Sequence, residues 1–197
     1  MILSESSKKY CIFVYSLSRQ ITMQNSLKWG ALSAGIGILI ALIMFLAGIS
    51  LNPDLAWARW VGFIGALVVL FMGVREKKME DPASFTFGKG WSATLMISIV
   101  AGLISAVWLF VYAGYIEPEM IDMTLATQRA AMMQNNMNRE QMEQAMKYSS
   151  MFISPGGIAV TTLISYIIGG MLLGLIISPI VKATGNKNIE STPEPVI

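Results

Sequence analysis

Three stretches without a charged side chain constrain what this chain can be. They lie between Lys28 and Asp54, between Lys89 and Glu117, and between Lys147 and Lys182. Mostly apolar, uncharged runs of about 18 residues or more cross membranes as helices. Charged residues make up 13% of the chain, against about a quarter in soluble domains. The expectation is an all-α integral membrane protein of four transmembrane helices, at about 29–51, 55–74, 91–113 and 158–181.

The first span, Trp29 to Leu51, is about 34 Å long at ~1.5 Å per residue, enough for a hydrocarbon core of about 30 Å. Asn52-Pro53-Asp54 is read as the turn that ends it. In the second span Arg59 lies one turn inside the start and can snorkel to the headgroups. Its uncharged part, Trp60 to Val74, covers only about 22 Å. The fourth span follows Pro155-Gly156-Gly157, read as a helix break. Pro179 is expected to bend or fray its last turn.

Lysine and arginine set the orientation. Ten of the 14 lie in the N-terminal segment, the loop after span two and the tail, which share one side. Arg59, Arg129, Arg139 and Lys147 lie on the other. Both termini are therefore expected in the cytoplasm. Trp29 and Trp91 are read as an inner aromatic belt, and Trp57, Trp60, Trp108, Tyr112 and Tyr115 as an outer one.

Residues 114–157 form the one sizeable outer loop, expected as an extracytoplasmic amphipathic helical hairpin of about 118–134 and 139–152. Pro118 suits a helix start, and Glu119 and Asp122 suit the positive end of its dipole. Asn138 with Gln141 three residues on makes a variant capping box for the second helix. On that helix Met142, Ala145, Met146, Ser149, Phe152 and Ile153 share one face. Arg139, Glu140, Glu143, Gln144 and Lys147 share the other, with Glu143 and Lys147 spaced for an ion pair. On the first helix Ile121, Leu125 and Met132 align, flanked by Gln128 and Arg129.

Those methionines raise a Cu(I) reading, since thioethers bind soft metals. Met142 and Met146 would supply two ligands, and Met137 or Met133 a third. The chain has no His and its one Cys is Cys11, near the other end. Met as adaptable apolar filler is therefore favoured, and no metal site, cofactor or catalytic residue is assigned. The absence of His also removes the commonest general base. Cys11 follows Lys8, Lys9 and Tyr10, unlike a lipid-modified cysteine. A net charge of +2 gives no case for nucleic acid.

Phe85-Thr86-Phe87-Gly88-Lys89-Gly90-Trp91 holds a Gly-Lys pair but lacks the remainder of a phosphate loop. It reads as a tight approach to the membrane, anchored by Phe85, Phe87 and Trp91. Small residues recur at four-residue spacing: Gly30/Ala34, Ser33/Gly37, Gly62/Ala66, Ser98/Gly102/Ala106 and Gly170/Gly174. They suit close helix contact, within the bundle in preference to dimerisation. No Asp, Glu, Lys or His falls in the middle of a span, which argues against a proton relay. Ser105, Thr161, Thr162 and Ser165 remain available to an uncharged polar path. Arg75, Lys77 and Lys78 are read as setting orientation in preference to holding anionic lipid.

The order of these features resembles the domain-of-unknown-function 4199 family of small four-span membrane proteins. The pieces are Lys28-Trp29-Gly30, Phe87-Gly88-Lys89-Gly90-Trp91, the Met-rich outer loop, and Ser154-Pro155-Gly156 before a glycine-rich span. The resemblance covers about Gln24 to Ala183. It implies a bacterial inner-membrane location and transfers no site residues. The functional expectation is a non-enzymatic accessory or scaffold component. It would act through its outer hairpin on a membrane-protein partner or on a second copy. The alternative is a carrier or channel for a small solute or lipid.

Residues 1–22 are read as an N-terminal extension to a membrane domain of 23–183, and 184–197 as a disordered cytoplasmic tail. Met23-Gln24-Asn25-Ser26-Leu27-Lys28 directly before span one is a compact start. Translation is expected to begin at Met23. The intact mass of the native protein checks this, and a mass that includes Met1 to Thr22 overturns it.

Overall fold

The computed structural model describes residues 5–49, 58–135 and 137–184. Among them the regular elements are helices, in the order α1 (Glu5–Leu46), α2 (Ala58–Glu80), α3 (Phe87–Val111), a π-turn (Tyr112–Ile116), α4 (Glu119–Gln134), α5 (Arg139–Phe152) and α6 (Pro155–Ala183). Three segments are long and apolar enough to cross a membrane: Met23–Leu46, Phe87–Ile116 and Pro155–Thr184. Leucine, isoleucine, valine and phenylalanine stand exposed along them. Water would penalise so continuous an apolar surface, so the chain is membrane-embedded.

The helix ends follow from local chemistry. Gly48 at φ 67° terminates α1. Its N–H donates to the Phe45 carbonyl at 2.9 Å and the Ile49 N–H to that of Met44 at 3.0 Å. This is a Schellman end, which needs a left-handed residue and so favours glycine. The first span therefore stops at Leu46 and not at the Asn52-Pro53-Asp54 turn, which lies outside the described residues. At its other end α1 continues without a break through Met23 to Glu5.

Thr86 caps α3, its hydroxyl accepting from the Lys89 N–H at 3.3 Å. Ser154 caps α6 in the same way, accepting from Gly157 N–H at 3.1 Å. Pro155 is thus the first residue of α6. Pro155-Gly156-Gly157 is a first helical turn and not a break, because proline at that position lacks only an N–H that would have had no intrahelical partner. Pro179 does not stop the helix, which runs on to Ala183.

Helices α4 and α5 fall where the caps and periodicity put them. Gln141 Oε1 accepts from the Asn138 N–H at 3.4 Å, the return arm of the capping box. On α5, Met142, Ala145, Met146 and Ser149 are half-buried and Ile153 is buried, while the charged face is exposed. Phe152 departs from the pattern at 57% exposed, beside Tyr148 and Met151. Glu143 and Lys147 form no ion pair among the described residues. Both are exposed, and such pairs in water contribute little.

Among the described helices the contact of α3 with α6 is the most extensive, and α3 also packs on α1 and α2. Glycines make the α3–α6 approach possible. A Cβ on Gly170 would sit 2.5 Å from Ser98 Cβ, and one on Gly174 2.6 Å from Trp91 Cδ1. The four-residue glycine spacing is therefore used inside the chain. At one end of the bundle Trp29, Val69, Leu70, Val74, Phe85, Ile97, Ile177 and Val181 form the core.

The Gly170→Val substitution is expected to force α6 off α3, at a cost of about 1–3 kcal/mol or more. Gly88→Ala, with open space around the added carbon, serves as control. Thermal unfolding in detergent checks the contrast: a lowered transition for the first and little change for the second.

Candidate functional site

The core end of the bundle is tied shut by polar contacts. Glu76 on α2 accepts from Lys28 Nζ at 3.0 Å and from Trp29 Nε1 at 2.5 Å. Lys78 Nζ donates to the Val181 carbonyl at 2.7 Å and to that of Lys182 at 2.9 Å. It thereby satisfies carbonyls at the C-terminus of α6, where a cation is favoured. Lys77 pairs with Glu80 at 2.8 Å. Of the three basic residues read as orientation signals, Lys78 thus also ties α2 to α6, while the Lys77–Glu80 pair lies within α2.

Toward the other end α1, α2, α3 and α6 line a partly open chamber of about 1080 Å³. Its walls include Gly37 and Ile40 of α1, Phe63 and Leu67 of α2, Ala101 of α3, and Tyr166 and Gly169 of α6. Leu70 and Ile97 of the core floor it. Over the open end lies α4, which contributes Met120, Met123, Thr124, Thr127 and Gln128. These fall at i, i+3, i+4, i+7 and i+8, one face of a helix. Ile121, Leu125 and Met132, the stripe seen in the sequence, are half-buried as expected. The face that lines the chamber is rotated by about one residue from that stripe, sharing Gln128 with its flank.

The rim beneath α4 is polar. Tyr112 donates its hydroxyl to Glu117 Oε2, and the two residues are 4% and 8% exposed. Phe45 meets the Tyr112 ring edge-on at 6.0 Å and Trp108 lies tilted against it at 5.7 Å. The π-turn makes the pairing possible: the Glu117 N–H donates to the Tyr112 carbonyl at 2.8 Å, a bond across five residues. Gln128 Oε1 is buried and has no hydrogen-bond partner among the described residues.

Of the hydroxyls that could have lined a polar path, only Ser165 reaches the chamber. It donates to its own helix at Thr161 O, 2.7 Å away. Ser105 donates to the Tyr166 hydroxyl at 3.2 Å, between α3 and α6, and Thr161 donates back to Gly157 O at 2.9 Å. Hydroxyls in spans commonly fold back onto helix carbonyls in this way. The cavity is an apolar chamber with a polar rim, not a polar pore.

Several aromatic expectations are corrected. Trp29 and Phe85 belong to the core at 8% exposed each, and Tyr112 is turned inward. Trp91 donates its indole N–H to Met171 O at 3.0 Å and packs over Gly174. Indole and phenol groups with a polar partner in reach gain more from an internal hydrogen bond than from the belt. Trp60, Tyr115 and Phe87 do stand exposed; Trp57 lies outside the described residues. Met133 is 57% exposed, and Met142 and Met146 are half-buried. No group of three or more His, Cys, Asp or Glu able to hold a metal occurs among the described residues.

A family model described as "Protein of unknown function (DUF4199)" matches residues 28–183. The chain belongs to this family. No curated protein and no solved structure matches it. In this DUF4199 protein the matched region opens at Lys28, the partner of Glu76, and closes at Ala183, the end of α6. The motifs that carried the resemblance sit at junctions: Lys28-Trp29 at the α1–α2 contact, Thr86 to Trp91 at the start of α3, and Ser154-Pro155 at the cap of α6.

The Lys28 ammonium, helped by the Trp29 indole, holds the Glu76 carboxyl below its ordinary value of 4.5, although slight burial works the other way. A lowered carboxyl stabilises the fold above the unfolded-state value and loses that contribution as pH falls through the folded-state one. Stability in detergent is therefore expected to decline on acidification below about pH 4.5, and Glu76→Gln to flatten that decline. Unfolding temperature against pH for both proteins checks it; parallel curves would contradict the role of Glu76.

Proposed function

We propose that this DUF4199 protein is a non-enzymatic carrier or receptor that holds the apolar chain of one lipid-like molecule. The observation that carries the reading is the chamber of about 1080 Å³ between α1, α2, α3 and α6. At roughly 30 Å³ per water-sized group, it has room for on the order of 35 such groups. That is the upper end of the range for sites that enclose small molecules. An apolar chamber of this size is a poor path for ions, which need polar groups to replace their hydration.

In this reading α2 is the fourth span, its apolar part running from Trp60 to Val74 with Val61, Ile64, Val68 and Met72 toward lipid. The same reading takes both termini as cytoplasmic and α4 and α5 as lying outside a bacterial inner membrane, an orientation that the charge bias supports. The chamber then opens toward the outer leaflet beneath α4. A scaffold role has its own support in α5, where Tyr148, Met151 and Phe152 are 68%, 70% and 57% exposed. Affinity purification from native membranes tests that role, and recovery of no reproducible partner would remove it.

The chamber reading has a direct test. Gly37 and Gly169 both line the chamber, and a Cβ on either meets no atom within 4 Å. Gly37→Leu and Gly169→Leu should fill the space without a clash, and glycine replacement inside a helix favours folding. Wild type is expected to copurify with a lipid-like species enriched over the membrane extract. The filled variants should carry several-fold less, at an unfolding temperature equal to or above wild type. Mass spectrometry of solvent extracts reads the result, and equal enrichment in all three proteins would overturn the proposal.

A further inference from the structure

The charge-free run that contains α6 begins before α6 does. No charged side chain lies between Lys147 and Lys182, so the last turn of α5 belongs to that run. Around the axis of α5, at ~100° per residue, three sectors follow one another. Met142, Met146, Ser149 and Ile153 are half-buried or buried. Arg139, Glu140, Glu143 and Lys147 form an exposed charged sector. Tyr148, Met151 and Phe152 form the third, apolar yet 68%, 70% and 57% exposed.

The end of α5 that carries this open sector is fixed against the first turn of α6. Ser154 donates its hydroxyl to Met151 O at 2.8 Å, and a Cβ on Gly157 would run into the carbonyls of Met151 and Phe152. On α6 the first exposed large apolar side chain is Val160, and Ile164, Ile168 and Leu172 continue the stripe at four-residue spacing. In a membrane-embedded chain that stripe faces lipid. From Pro155 to Val160 is about 7.5 Å of helix, close to the roughly 5–8 Å of headgroup layer on one side of a bilayer. The open sector of α5 thus starts within a headgroup layer's depth of the lipid-facing stripe. Helices with one apolar and one charged side lie in that layer with the apolar side inward. A tyrosine suits it, with its ring in the apolar zone and its hydroxyl in the wet one.

We propose that α5 is an interfacial helix. Tyr148, Met151 and Phe152 rest in the headgroup layer of the leaflet at this end of the bundle, and the charged sector faces water. The occupant of the open sector is lipid, where a scaffold role would put a partner protein. The assignment holds whatever the chamber contains.

Spin labels read the depth. Cysteines are placed singly at Met151→Cys, Tyr148→Cys and Glu143→Cys in the full chain carrying Cys11→Ser. Each labelled protein is set one copy to a nanodisc of phosphatidylcholine, after its unfolding temperature has been matched to wild type. Oxygen concentrates in the bilayer and a nickel chelate in water. The labels at Met151 and Tyr148 are expected to be several-fold less open to the nickel chelate than the label at Glu143, and more open to oxygen. Labels at Met151 and Tyr148 as open to nickel as that at Glu143 would overturn the proposal. So would labels shielded from both reagents, which contact with protein produces, and shielding from nickel that arises only in discs holding two copies, which would make a second copy the occupant.

Discussion

The bundle rests on a place where two helix backbones nearly touch. With no Cβ at Gly170 and Gly174, α6 settles against Ser98 and Trp91 of α3. In lipid there is no hydrophobic drive to bring helices together, so close packing and polar contacts must do it. The remaining helices are arranged around that pair. One end is drawn in by Lys28, Trp29 and Glu76, and by Lys78 on the carbonyls that end α6. The chamber lies beyond that clamped end, lined by side chains of all four helices.

Much of the helical plan could be read in advance. Helices α4 and α5 were placed to within about a residue, because Pro118, Asn138 and Gln141 mark starts by well-understood hydrogen bonding. The uncharged runs marked three long spans for a similarly simple reason. The end of α1 was misplaced because two stop signals compete there, Gly48 and the Asn52-Pro53 pair. The glycine comes first and completes two carbonyl hydrogen bonds. Pro155 was misread because proline breaks a helix from within yet starts one well.

The chamber could not be read from the spans, and the reason is physical. A residue facing lipid and a residue facing an apolar cavity meet the same kind of surroundings, so Gly37, Ile40 and Leu67 look no different from their lipid-facing neighbours. Aromatic direction was hidden for a related reason. Trp29 and Tyr112 have the composition of belt residues, but each has an acidic partner far enough along the chain, or placed oddly enough on its helix, to escape a spacing argument. The signal that was present lay in α4, where Met120, Met123, Thr124, Thr127 and Gln128 keep a helical period with mixed polarity. Such a stripe suits a surface that is apolar on one side of its contact and wet on the other.

The turn between α3 and α4 shows how one residue changes what faces what. In an ordinary α-helix the side chain stacked over Tyr112 would be that of Ile116, four positions on. The wider π-turn, closed by the bond from Glu117 N–H to Tyr112 O, works as a phase shifter that retards the helix by one position. It brings an acid to where an isoleucine would have stood, and leaves Tyr115 at 77% exposed. Removing a single residue from this turn would keep the composition of the rim nearly the same and rotate its chemistry out of the chamber.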